Sequence, residues 1–470
     1  HPFADFKTKE TGIDRTKIPA AGDTPAAQFP AFSRTKLSNG LDLVVVENHS
    51  VPLVNFRLLV DAGYAADSFS LPGMASMAME MLDEGTQTRD TLKISEELIT
   101  LGAELNTWAN LDECVVRLST LKTTLDQSLE IFLDVLFNPT FPEKELDRVK
   151  KEQIAAIQME KKTPDSMALR VLPKLLYGEG HAYSNPLTGS GTEESVQKMT
   201  REDIVQFYET WFKPNNAALI GIGDITIDEM VPKIEKLFAG WKPGDVPQKN
   251  LEAVQRPDSP QVYLIDRPGS DQSVIYAGHV AVPKANPDEI ANETVINILG
   301  GKFTSRLNMN LREDKHWTYG ARTRLLDAEG PRPFFAQAPV QSDKTKDAIL
   351  EIQKELADIA DNRPPSAAEL KESQAQRTLN LAGRWETMNA VENSLEEILR
   401  FGLPDDYYRT YAGRILSLTV EDTARAAKNL IHPHHLTWVV VGDRAKIESS
   451  LKELGFGEVR LIDVDGNPVP

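Results

Sequence analysis

Several groups of residues in this chain carry side chains that could do chemistry. Arg312 and Tyr319 lie seven residues apart in LREDKHWTY. A guanidinium and a phenol are both hydrogen-bond donors, and donors aimed at developing negative charge are what amide hydrolysis needs. The plainer reading makes Arg312–Glu313 a surface pair on a helix and Tyr319 a strand residue packed in the core. His432, His434 and His435 cluster in IHPHHL, a spacing that could bind a metal ion. They sit at a proline turn before the last long apolar strand, which predicts a polar loop instead. The stretch TGSGTEES (188–195) combines glycines and hydroxyls, yet fits neither the G-x-x-x-x-G-K-[ST] nor the G-x-S-x-G pattern. A glycine-rich turn feeding a helix capped by Thr192 accounts for it. Cys114 is the only cysteine, so no internal disulfide can form. In CVVRLST it alternates with its neighbours as in a strand, which predicts a buried structural thiol. His181 and His316 are isolated and read as loop or surface histidines.

The stretch GMASMAMEMLDEGT (73–86) gains meaning from what it lacks. It resembles the zinc helix of the pitrilysin/insulinase-type peptidases, which reads G-x-A-H-x-x-E-H-M-x-x-x-G-T. Gly73, Ala75, Met81, Gly85 and Thr86 fall in step with that frame. Ser76 stands where the first His belongs, Met79 where the catalytic Glu belongs, and Glu80 where the second His belongs. In the motif, two His at i and i+4 share a helix face and bind zinc, while the Glu activates a zinc-bound water. Serine and methionine are poor zinc ligands in such a site, and Met79 cannot act as a base. The resemblance puts the last ligand at Ala156, in VKKEQIAAIQME, with Glu152 and Glu160 one turn away on either side. It therefore implies a chain that holds no zinc of its own.

A second stretch, LGGKFTSRLNMNLREDKHWTYGART (299–323), resembles the segment of the same family that carries an Arg/Tyr pair. Gly300-Gly301 and Ser305-Arg306-Leu307 form its lead-in, and Leu311, Arg312, Glu313, Tyr319 and Gly320 follow in frame. The resemblance implies that Arg312 and Tyr319 reach a zinc site from the opposite half, hold the substrate and stabilise the oxyanion at the scissile carbonyl.

The elements that must position these groups read as a mixture of hairpins and helices. Asn39-Gly40 between apolar runs predicts a hairpin. Met74, Met77, Ala78, Met81 and Leu82 form one apolar stripe, predicting a helix over 73–84. Helices follow over 91–101, 124–137 and 142–161, with strands around 103–120. The chain then repeats itself. TREDIVQFYETWFKPNNAALIGIGD (200–224) and TVEDTARAAKNLIHPHHLTWVVVGD (419–443) align without a gap at an offset of 219 residues. Each has a Thr-x-x-Asp cap, an amphipathic helix stopped near a proline, and an apolar strand ending in Gly-Asp. These features predict an α+β fold of two homologous duplicated domains, each a mainly antiparallel sheet with helices packed on it. The expected boundaries are an extended N-terminal arm over 1–33, a domain over 34–235, a linker over 236–258 and a second domain over 259–470.

With 470 residues the chain is too long for one core. Its net charge of -18 argues against nucleic acid and anionic membranes as main partners. No apolar run has the ~18–20 residues of a transmembrane helix. The start HPFADF, without Met, fits a mature exported protein, and a periplasmic location is expected, with the cytoplasm as the alternative. The resemblance implies half of a clam-like chamber, paired with a homologous subunit that carries His-x-x-Glu-His and zinc and that acts with it on peptides. The alternative is an inert structural or peptide-binding subunit of a larger complex.

Overall fold

The computed structural model of the protein describes residues 28–469, together with Gly12, Asp14, Thr16 and Lys17. Most of the expected N-terminal arm lies outside these residues.

Among the described residues twelve strands build two six-stranded sheets. The first contains β1 (Ser33–Lys36), β2 (Asp42–Glu47), β3 (Leu53–Val60), β4 (Glu104–Ala109), β5 (Cys114–Leu121) and β6 (Ala217–Gly223) in the order β1-β2-β6-β3-β5-β4. The second contains β7 (Gln261–Asp266), β8 (Gln272–Ala281), β9 (Arg322–Leu325), β10 (Arg332–Gln341), β11 (Thr437–Gly442) and β12 (Val459–Ile462) in the order β12-β7-β11-β8-β10-β9. The same offset of 219 residues that aligns the repeat carries β2 onto β7 and the start of β3 onto that of β8. Most neighbours are antiparallel, while β2 with β6, β7 with β11 and β7 with β12 run parallel. The outermost position breaks the symmetry: β1 comes from before its copy, and β12, in the matching place, from after.

Local chemistry makes the repeat. Thr200 and Thr419 each accept from the backbone N–H of Asp203 and Asp422, whose carboxylates accept in return from the capping threonines. These capping boxes start the helices Arg201–Trp211 and Val420–Leu430. Thr192 caps Glu193–Lys198 in the same way, so the glycine-rich stretch before it is a turn into a helix. Cys114 is fully buried in β5.

Each sheet has one face covered by its own half. Helices Met74–Glu80, Leu125–Phe137 and Arg201–Trp211 pack on the first sheet through Val45, Phe56, Leu58 and Val116. The opposite face, with Val44, Val46, Leu59, Val115 and Ile220, is covered by Met388–Arg400 from the second half. The exchange is mutual. Pro164–Tyr177, from the first half, covers Tyr263, Ile265, Val274, Val439 and Val441 of the second sheet. Between the copies, residues 239–260 form neither helix nor strand.

One expected element is shorter than its apolar stripe. The helix runs Met74–Glu80, not to residue 84. Beyond Glu80 the N–H of Leu82 turns to Met79, a three-residue step, and the chain bends to Gly85 and Thr86, which bridge to Asp90 and Pro139. Met81 and Leu82 are nevertheless buried, so the stripe marks burial and not helix.

Candidate functional site

The helix Met74–Glu80 is fixed at its start by Asp67, a buried carboxylate that accepts the N–H of Gly73 at 2.7 Å and of Ala75 at 2.8 Å. Burial, the largest cause, pushes the Asp67 carboxyl up to about 7 against the opposing pull of these N–H groups. On this scaffold the motif positions have taken other work. Ser76 donates its hydroxyl to the Gly189 carbonyl at 2.8 Å. Met79 is buried in the core with Met74, Met77 and Ala78. Partial burial and then the charges of Glu84 and Glu152 push the Glu80 carboxyl up.

Ala156 is exposed on the helix Glu143–Glu160 and offers no ligand. Its acidic neighbours are engaged elsewhere. Glu152 pairs with Arg148 at 2.9 Å, and Glu160 binds Arg170 at 2.8 Å and the Ser190 hydroxyl at 2.7 Å. One hydroxyl spent on a carbonyl, one thioether and one carboxylate do not make a zinc site. Among the described residues no three His, Cys, Asp or Glu side chains are grouped to hold a metal ion. In the histidine-rich loop His435 Nδ1 binds the Pro257 carbonyl at 2.8 Å, and the His432 backbone N–H donates to His279 Nε2 at 3.4 Å.

Arg312 and Tyr319 do come together. Both line an open cleft of about 340 Å³ with Gln272, His316, Trp317 and Gln341, all from the second half. Arg312 sits in a π-helical turn, Met309–Asp314, which replaces the ordinary helical spacing. Such turns are rare and often mark functional positions. Its guanidinium lies over the Phe303 ring at 4.7 Å and contacts Glu313 through Nε at 3.3 Å. Among the described residues its Nη1 and Nη2 have no partner. Tyr319 is 87% exposed, so it is no core residue, and its hydroxyl is likewise unpartnered among the described residues. The surface pair Arg312–Glu313 thus exists, but it leaves the outer end of the guanidinium free.

Neighbouring residues hold this pair. Asn308 donates to the Phe303 carbonyl at 2.7 Å and accepts the Ala321 N–H at 3.2 Å, tying the ring beneath Arg312 to the chain after Tyr319. Thr318 closes a tight turn on Gly320, which aims Tyr319 outward. His316 folds back on the Arg312 carbonyl. Only its place in the same run, four residues from Arg312, signalled it in the sequence. Arg306, in the lead-in, is structural: it binds both Glu369 oxygens at 2.6 and 2.8 Å. No residue of Met74–Glu80 lines the Arg312 cleft, so the two motifs form separate places on this chain.

Comparisons with known proteins agree with this picture. A family model described as Insulinase (Peptidase family M16) matches residues 43–189, and one described as Peptidase M16 inactive domain matches 198–377. A Helicobacter pylori relative described as "Non-peptidase homolog YmxG" is 23% identical over 410 residues, 86% of this chain and 92% of the relative. An "Uncharacterized zinc protease YmxG" of Bacillus subtilis is 23% identical over 289 residues, 61% of this chain and 68% of the relative. The crystal structure of a peptidase M16 inactive domain from Pseudomonas fluorescens superposes with a TM-score of 0.80 at 24% identity, over 88% of this chain and 98% of that one. The two family models together span more than half of the chain, and with the duplicated sheets and the degenerate zinc helix they make it a member of the insulinase-type peptidase family M16.

Proposed function

We propose that this chain is the non-zinc subunit of a two-chain zinc peptidase. It pairs with a homologous chain bearing His-x-x-Glu-His, supplies half of the chamber wall, and presents Arg312 and Tyr319 to a peptide held at the partner's metal. The observation that carries this reading is the contrast between the two motifs. The zinc helix has been absorbed into packing and a hydroxyl–carbonyl bond. Arg312 and Tyr319 share a cleft and keep their donors free. Free donors of this kind fit negative charge developing on a scissile carbonyl oxygen. The test is to mix the chain with the His-x-x-Glu-His subunit and an unfolded peptide. Hydrolysis should exceed that of the partner alone, and equal rates with and without this chain would sink the proposal.

A second reading has one specific support. The Helicobacter pylori relative, matched over most of its length, is described as a non-peptidase. An inert chamber subunit would bind the same partner and raise no rate, so the mixing experiment separates the two.

A further inference from the structure

The loop between the π-helical turn and Tyr319 holds a histidine where backbone geometry favours glycine. His316 has a φ of 59°, and Phe141 is the only other non-glycine residue with positive φ among the described residues. Histidine tolerates this region better than most residues, yet glycine occupies it without strain. Strained positions of this kind cluster at functional sites. The ring is held in place. The His316 backbone N–H and Nδ1 both approach the Arg312 carbonyl, at 3.2 and 3.0 Å. A carbonyl only accepts, so in the neutral ring Nδ1 carries the hydrogen and Nε2 keeps its lone pair. His316 lines the same cleft as Arg312 and Tyr319. The guanidinium can only donate, and the tyrosine hydroxyl stands free beside it. Glu313 is already met by Arg312, and the Gln272 and Gln341 amides carry a donor beside each acceptor.

We propose that His316 Nε2 accepts a backbone N–H of the same peptide whose carbonyl is held by Arg312 and Tyr319. The cleft then reads one stretch of peptide through both kinds of polar group, and it discriminates against residues that lack an N–H, proline among them. This rests on the reading of the cleft as a peptide site. A purely structural His316 would cap the π-helical turn and leave peptide selection untouched.

The test uses the full chain and two fluorescein-labelled probes, a 15-residue peptide of Ala, Ser, Lys and Leu and its counterpart methylated at every backbone nitrogen. Binding is read by anisotropy. Glycine relieves the positive φ, so His316→Gly should fold with an unchanged or higher melting temperature. It should weaken the unmethylated probe about tenfold and leave the methylated probe unchanged. His316→Asn, which keeps an acceptor oxygen and tolerates the same backbone, should stay within about threefold of the parent. A His316→Gly variant that weakens both probes equally, or neither, overturns the proposal. Arg312→Ala separates the levels. If it weakens the unmethylated probe while His316→Gly does not, only the histidine's role fails. If it changes nothing, the pair does not hold the ground-state peptide and the role of the histidine beside it fails, while the effect of the pair on rate is read separately with the zinc-bearing partner.

Discussion

Arg57 on β3 of the first half binds Glu392 on the crossing helix of the second half at 3.0 Å, and both side chains are buried. Glu392 also meets Arg117 at 3.1 Å, while Arg57 reaches on to Glu396 and Asn393. The exchange of helices between halves is therefore fastened by charges as well as by Val391, Leu395 and Ile398. Removing one member of a buried ion pair leaves the other charge uncompensated, at a cost of about 3–5 kcal/mol. Glu392→Ala takes a shared carboxylate from two guanidinium groups, but Arg57 keeps Glu396 and Asn393 and Arg117 keeps Asn389, so a loss toward the lower end of that range is expected in urea unfolding. Glu421→Ala, at an exposed position, should cost less than about 0.5 kcal/mol. Equal effects of the two variants would show that the seam is not held by this pair.

The sequence carried the duplication because capping and turn chemistry are local. Thr200 and Thr419, Pro214 and Pro433, Gly223 and Gly442 stand in register whatever surrounds them. The motif letters at 76, 79 and 80 were legible for the same reason. The exchange of helices was not. Met167, Ala168, Val171 and Leu172 say that the helix Pro164–Tyr177 buries one face, and nothing in their spacing says against which sheet. The buried Met81 and Leu82 extended an apolar stripe past the true helix end, since periodicity reports burial before conformation. The π-helical turn and the positive φ of His316 come from how Leu311, Trp317 and Gln341 tie the loop together through backbone bonds, which no single residue type announces.

The Ser76 hydroxyl and the buried Met79 make the loss of the metal costly to reverse. Returning Ser76→His, Met79→Glu, Glu80→His and Ala156→Glu removes the bond to Gly189 and places a carboxylate within the methionine-rich core. An unpaired polar group in apolar surroundings costs roughly 2–7 kcal/mol. The fourfold variant should melt well below the parent and hold less than stoichiometric zinc. Metal analysis finding one zinc per chain, with the melting temperature kept, would contradict this.

Asp67 sets a pH dependence. Its folded-state carboxyl is raised by burial from 3.8 to about 7, so the folded protein binds this proton more tightly than the unfolded chain. The stability it contributes is fully present below the unfolded value and is lost as pH climbs through about 7. Between about pH 4 and pH 7 the urea midpoint of the parent should therefore fall more steeply than that of Asp67→Asn. The variant itself should lose about 1–3 kcal/mol, because an amide accepts poorly from both the Gly73 and the Ala75 N–H. Parallel pH profiles for the two proteins would remove Asp67 as the cause.

Arg312 and Tyr319 are expected to act on rate and not on folding, since their free donors touch no core residue. With the zinc-bearing partner and a peptide substrate, Arg312→Ala should lower kcat by roughly 100-fold, the usual cost of losing one donor to the developing oxyanion. Arg312→Lys should recover little of it, because a lysine ammonium on a flexible stem does not reproduce the fixed two-pronged geometry of the guanidinium. Tyr319→Phe should lower kcat about tenfold, as for one hydrogen bond of about 1.4 kcal/mol. Melting temperatures of all three variants should match the parent, because Arg312 has 39% and Tyr319 87% of its surface in solvent. A rise in KM with kcat unchanged would show that the pair binds the ground state and the transition state alike, which assigns it to substrate holding and not to catalysis.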